Sequence, residues 1–467
     1  MKVTLVASLL TSAVAAAAAA TAVAPRDDEP VSYEGYKVFR VSTHGRGAQV
    51  EEQLAGLNFT RWSQDALSHV DIVVGPDSVA GFEALGLDYY VMHDDLGASI
   101  AGEAEGAAAY SERRRKREAE QGAVDLHESY KRQVEDPSWF DSYHNYEDHI
   151  DYFRALQAAF PDNSESISAG RSVQNRNIFG IHLWGANGPG RPAILFHGTV
   201  HAREWIVGPT LEYITLQLIN GYNSGDNLTT GVLDRYDFYI FPFVNPDGFV
   251  YSQTTDRLWR KNRQPAPPQG PANCLGRDIN RNWAFAWDAN TRGASRDPCS
   301  QTYQGEAATD TPENRGLDAY LRRLRDSAGI RLFIDWHSYG QYLLFPFGYA
   351  ETTYAPELGV WHRTASLMSQ VIRQASPLNT TYTFGPSAST LYTTTGSAPD
   401  HAYAIGGADW SYTIELPDSG EYGFVLPPSR IRGVAEEAWA GQQALYYLLE
   451  ETFFDGIGPA QLYQGQN

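Results

Sequence analysis

The chain has 467 residues and carries 36 Lys+Arg against 56 Asp+Glu, a formal net charge of −20. Apolar residues at 42% and charged residues at 20% are globular proportions, with length for two or three domains. So acidic a chain excludes general attraction to nucleic acid or to an anionic membrane. Two cysteines exclude a cysteine-rich zinc module and a disulfide-stapled miniprotein, leaving one disulfide or two thiols.

At the N-terminus, Lys2 precedes an alanine-rich apolar stretch over residues 3–24 that ends before Pro25-Arg26-Asp27. A positive start, an apolar middle and A-x-A positions around Ala18 to Ala24 give a secretory signal peptide over 1–24. The stretch is long enough to span a bilayer, so a signal anchor competes, but alanine is weakly apolar and charges follow at once. An oxidising destination makes Cys274 and Cys299 a disulfide. Asn58, Asn227 and Asn379 head acceptor triplets for glycosylation, consistent with a secreted, extracellular protein.

Residues 35–97 read as a small α/β domain. Alternation predicts strands over 36–41, 71–74 and 89–92, and an amphipathic pattern predicts helices over 48–57 and 79–85, the second capped by Asp77. Residues 98–132 shift to Ala and Glu and contain Arg113-Arg114-Arg115-Lys116-Arg117, then Lys131-Arg132. A solvated, charge-dense helix or linker is one reading. Paired basic residues on an exposed linker also suit a processing protease, with cuts after Arg117 or Arg132. Beyond Arg132, 23 basic and 36 acidic side chains leave a net charge of −13.

Residues 133–467 alternate strands (193–197, 236–244, 331–336, 410–416) with helices (205–220, 311–325, 358–374, 430–451). That order predicts a mainly parallel sheet with helices on both faces, and ligands outside the carboxyl ends of its strands. His201 and Glu204 follow the 193–197 strand at a spacing that lets both reach one ion. The same spacing at His144 and Glu147 falls in an acidic helical segment and reads as a solvated face. His197 reads as a packed residue rather than a ligand. His337 ends another strand and suits a third ligand, and Glu415 is a carboxylate inside an apolar run, where carboxylates are uncommon without a role.

Six motifs then occur in order: His201-Ala202-Arg203-Glu204-Trp205-Ile206, Asn245-Pro246-Asp247-Gly248, Arg257-Leu258-Trp259-Arg260-Lys261, Asn280-Arg281-Asn282-Trp283, His337-Ser338-Tyr339 and Glu415-Leu416. Together they resemble the zinc metallocarboxypeptidases of the pancreatic A/B type over residues 135–450. The resemblance implies a mixed, mainly parallel carboxypeptidase-like sheet in a catalytic domain over 133–467. It makes 35–97 an inhibitory pro-domain and 98–132 an activation linker cut by another protease. It assigns one Zn2+ to His201, Glu204 and His337, and makes Glu415 the general base and acid that activates the attacking water. Arg260 would stabilise the oxyanion. Asn280 and Arg281 would clasp the substrate's terminal carboxylate and Tyr392 would close over it. Arg203 and Arg257 would line the outer cleft.

By the same resemblance, Pro399 falls at the bottom of the family's side-chain pocket, and Leu344, Gly348 and Thr413 fall on its other positions. They are small or apolar, which implies preference for aromatic or aliphatic C-terminal residues on peptides and proteins. A register slip of one residue would put Asp400 at the pocket floor and reverse that preference toward Lys/Arg. A non-catalytic binding relative and an amidase acting on non-peptide bonds are the competing classes. Glu415 argues against the first, and the Asn280/Arg281 pair against the second. Nothing in the sequence calls for more than a monomer.

Overall fold

The computed structural model describes residues 29–63, 68–121 and 133–450. The signal stretch, the Lys131-Arg132 pair and residues after 450 lie outside them. Among the described residues, no helix is long and apolar enough to cross a membrane.

The N-terminal unit is a four-stranded antiparallel sheet in the order β2-β3-β1-β4, from β1 (Lys37–Ser42), β2 (Phe59–Arg61), β3 (His69–Val74) and β4 (Tyr89–His93). Helices Gly47–Leu54 and Pro76–Glu83 complete a β-α-β-β-α-β sandwich. The sequence pattern misses β2, three residues too short to show a period. It also misplaces Asp77, which sits inside the first helical turn while Gly75 takes the cap position. Alternation along β1 sends Phe39 and Val41 toward the helices, with Phe82 and Leu54. Val38 goes the other way, into a cluster with Trp62, Leu258, Phe424 and Val425 that belongs to both units. A helix, Leu96–Gln121, continues from the sandwich through most of the predicted linker.

The larger unit holds an eight-stranded mixed sheet, ordered β11-β10-β12-β9-β7-β8-β6-β5. Its strands are β5 (Ser164–Arg171), β6 (Asn177–Leu183), β7 (Ala193–Gly198), β8 (Asp237–Phe241), β9 (Ile330–Ser338), β10 (Tyr342–Phe345), β11 (Thr383–Pro386) and β12 (Trp410–Leu416). The central run β8-β7-β9-β12 is parallel, as expected, while β5, β6 and β10 add antiparallel pairings. All of β7 is buried, which suits a parallel strand covered on both faces. Residues from helices Val207–Ser224, Leu358–Ala375 and Ile431–Glu450 build one core. Helix Pro312–Asp326 contributes to the other, and Thr311 caps it by accepting the Asn314 N–H at 2.9 Å. Cys274 and Cys299 form a disulfide.

One surface expectation fails. Glu147 is exposed, but His144 is buried, stacked at 3.6 Å on Trp139 and capped by Tyr110 of the Leu96–Gln121 helix at 4.5 Å. Those partners are 5 and 34 residues away, beyond the reach of local pattern.

Candidate active site

The parallel strands deliver the site. In the β9/β12 register Glu415 lies beside His337, so both project from the same face at the carboxyl end. His201 and Glu204 stand in the turn after β7, before helix Val207–Ser224. The structure brings all three expected ligands together. His201 Nδ1 lies 2.7 Å from Glu204 Oε1, and His337 Nδ1 lies 3.1 Å from His201 Nδ1 and 3.1 Å from Glu204 Oε2.

The outer nitrogens fix that orientation. His201 Nε2 faces Asp278 Oδ1 at 3.2 Å, and His337 Nε2 faces Asp335 Oδ2 at 2.8 Å. A carboxylate on each outer nitrogen leaves the two Nδ1 lone pairs directed at one point with the Glu204 carboxylate. Two imidazoles and a carboxylate, all buried, fit a single zinc ion with an open fourth position. His197 is not among them: it is packed against Phe333, Phe241 and Trp283, and burial pushes it down to about 4.

Around this centre lies a cavity of about 310 Å³. Arg203, Arg260, Asn280, Arg281, Leu344, Tyr392, Pro399, Thr413 and Glu415 all line it. Arg260 donates to Asp278 Oδ2 through Nε at 3.1 Å and Nη2 at 2.8 Å. Burial alone would raise the Asp278 carboxyl, but Arg260, His201 and Arg281 hold it well below the usual carboxylate range. Asn280 Oδ1 accepts the Ala398 N–H at 2.7 Å, and its carbonyl accepts from Arg281 Nη1 at 2.8 Å. Glu415 is pushed up by burial, a push that Glu204 adds to and that His337 and Arg260 oppose.

Gly348 departs from the expected pocket. It is not among the lining residues; its N–H donates to Asp400, and a Cβ there would meet Thr394 Oγ1 at 2.2 Å. Asp400 is also off the wall, fully buried, with its carboxylate accepting the Gly348 and Tyr349 N–H groups. Burial pushes that carboxyl up to about 7. Pro399 faces the cavity instead.

Sequence reasoning missed several residues here. Asp335 carried a signal, since it sits two positions before His337 on one strand face. Asp278 had none. Nor did the lid: Arg40, Trp62, Ser63 and His69 of the N-terminal unit line the same cavity. The Trp62 carbonyl accepts from Arg203 Nη2 at 3.2 Å, and Tyr339 Oη donates to Asp71 at 2.5 Å. Arg40 pairs with Asp71 at 2.6 Å and donates to the Ser419 carbonyl. Tyr90 Oη donates to the Gly420 carbonyl at 2.8 Å.

Comparison with known proteins agrees with this geometry. The zinc carboxypeptidase family model matches residues 149–441. The metallocarboxypeptidase A-like protein of Trichophyton verrucosum is 38% identical over 429 residues, covering 90% of this chain and 95% of its own. Metallocarboxypeptidase A of Trichophyton tonsurans is 38% identical over 422 residues, 89% and 93% of the two chains. In fold, the crystal structure of thrombin activatable fibrinolysis inhibitor matches with a TM-score of 0.76 at 24% identity, over 89% of this chain and 99% of that one.

Proposed function

This chain belongs to the zinc carboxypeptidase family and is a metallocarboxypeptidase, and on that premise we propose a secreted exopeptidase, made as a latent precursor, that removes aromatic and aliphatic C-terminal residues. The observation that carries the reading is one cavity holding the His201/Glu204/His337 centre, the Glu415 carboxylate and the Asn280/Arg281 pair together.

In this reading the peptide enters with its C-terminus first. Arg281 and the Asn280 amide take the free carboxylate, a planar anion suited to a guanidinium, and Tyr392 covers it. Zinc, when bound by His201, Glu204 and His337, supplies Lewis-acid polarisation of the scissile carbonyl. Arg260, held by Asp278, presents positive charge where the carbonyl oxygen becomes anionic. Glu415 takes a proton from the attacking water and returns it to the leaving amine nitrogen. The water's oxygen ends in the new carboxylate of the shortened peptide, and the released amino acid keeps its own.

Leu344, Thr413 and Pro399 support a neutral side-chain pocket, since Asp400 turns onto backbone N–H groups away from it. The contacts of the N-terminal unit over the cavity support latency. The signal pattern, the disulfide and the three exposed acceptor sites at Asn58, Asn227 and Asn379 support a secretory route. Of the two expected cuts, Arg117 lies within the Leu96–Gln121 helix and Arg132 lies outside the described residues.

The test is a profile of released C-terminal residues after cleavage in the basic stretch. Blocked dipeptides ending in Phe or Leu are expected to be cut at least about tenfold faster than one ending in Arg, since an unpaired cation in a neutral pocket costs well over 1.4 kcal/mol. A chelator should abolish release and zinc restore it. Faster release of Arg than Phe would overturn the pocket assignment.

A further inference from the structure

We propose that Asp400 is a positioning residue for side-chain selection. Its buried carboxylate ties the floor of the pocket to the wall, and its ionisation state sets how closely the pocket fits a large C-terminal side chain. The inference rests on the reading that Leu344, Pro399 and Thr413 form that pocket, and it adds a pH-dependent selectivity to it.

Asp400 follows Pro399 at the start of helix Ala398–Ala404. Pro399 lines the cavity and Asp400 does not. The Asp400 carboxylate instead accepts the Gly348 N–H through Oδ1 at 3.0 Å and Oδ2 at 2.9 Å, and the Tyr349 N–H through Oδ2 at 3.2 Å. Gly348 carries this tether on to the wall. Its carbonyl accepts the Thr394 N–H at 2.7 Å, and the Phe347 carbonyl beside it accepts the Ala388 N–H at 3.1 Å. Thr394 lines the cavity, as does Ser387 next to Ala388. The floor is anchored from its own side, where the Pro399 carbonyl accepts from Ser411 Oγ at 2.8 Å. One carboxylate therefore joins two pieces of backbone that carry pocket residues.

Among the described residues, no cation pairs with Asp400, which is 1% exposed. The ionisable groups on the elements packed around it are engaged elsewhere: His401 with Asp318, Tyr403 with Glu357, Asp335 with His337, Tyr412 with the Trp361 carbonyl, Arg281 with the Asn280 carbonyl and Glu351 with Arg292. Burial without a compensating charge pushes the carboxyl up to about 7, so it changes state in the neutral range. As an anion it makes charge-assisted bonds to two N–H groups, roughly twice as strong as those of a neutral acceptor. As an acid it also carries a hydrogen on one of the two oxygens that Gly348 shares. The wall is therefore held tightly above neutral pH and loosely below it. A tight wall favours a side chain that fills the pocket, because close packing is lost with small displacements, while a methyl group touches little of it.

The experiment compares blocked dipeptides ending in Phe and in Ala on the processed, zinc-loaded enzyme between about pH 6 and 8, a unit either side of the expected midpoint. Both substrates meet the same metal centre and the same Glu415, so titration of those groups cancels in the ratio of their kcat/KM values. That Phe/Ala ratio is expected to rise about fivefold with pH, through a falling KM for the Phe substrate. In Asp400→Asn, whose amide is neutral at every pH, the ratio should stay at its low-pH value throughout. A ratio independent of pH in the unmutated enzyme, or one that still rises in Asp400→Asn, would overturn the role. The unmutated series needs no variant, so the test survives if Asp400→Asn does not fold. Phe against Arg at a single pH reports separately on the pocket reading, so either can fail while the other stands.

Discussion

Glu415→Gln is expected to lower kcat of the processed enzyme by about 10²–10⁴-fold, the range of a positioned proton-transfer group. KM should change little, because the amide keeps the size of the side chain and the carboxylate clasp is elsewhere. Zinc content should also be unchanged, since Glu415 is outside the His201/Glu204/His337 set. At 1.36 kcal/mol per tenfold, the loss corresponds to about 2.7–5.4 kcal/mol of barrier. Steady-state kinetics beside metal analysis checks this. A variant with full zinc and near-unmutated kcat would remove Glu415 from the proton transfers.

Cleavage is expected to raise activity toward a small blocked dipeptide by about 100-fold or more. Trp62 and Arg40 of the N-terminal unit line the cavity, and the unit is tied down by the Asp71–Tyr339, Tyr90–Gly420 and Glu103–Arg257 contacts. A 99:1 preference for the covered state requires only about 2.7 kcal/mol. Charge-assisted hydrogen bonds at about 1.5–3 kcal/mol each make that attainable from a few of these contacts. Trp62→Ala in the uncut chain should recover part of the activity, because it opens the wall beside Arg203 and Phe424. Intact and cleaved chains assayed side by side decide the matter, and equal rates would exclude inhibition by the N-terminal unit.

Strand ends were the most legible part of the site in the sequence. Trp410–Leu416 and the strand before His201 are apolar runs bounded by turns, and their carboxyl ends carry Glu415 and the His201/Glu204 pair. Elements with weaker local signals were missed. β5 reads SESISAGR and is half exposed, and helix Ala398–Ala404 begins at a Ser-Ala-Pro turn that looks like loop. Asp278, Trp62 and Glu103 were invisible for another reason. Each acts across 75 or more residues of chain, on His201, Arg203 and Arg257, and no periodicity encodes such a pairing. The surface reading of His144 failed in the same way, through Trp139 and Tyr110.

The most direct test of the central claim, that this enzyme recognises and trims a free C-terminus, is a matched pair of blocked peptides ending in Phe acid and Phe amide. With processed, zinc-loaded enzyme, the acid should lose Phe and the amide should be cut more than about 100-fold more slowly, because the clasp proposed for Arg281 would meet a neutral group. Arg281→Gln should bring the acid's kcat/KM down toward that of the amide. Equal cleavage of acid and amide would contradict the account.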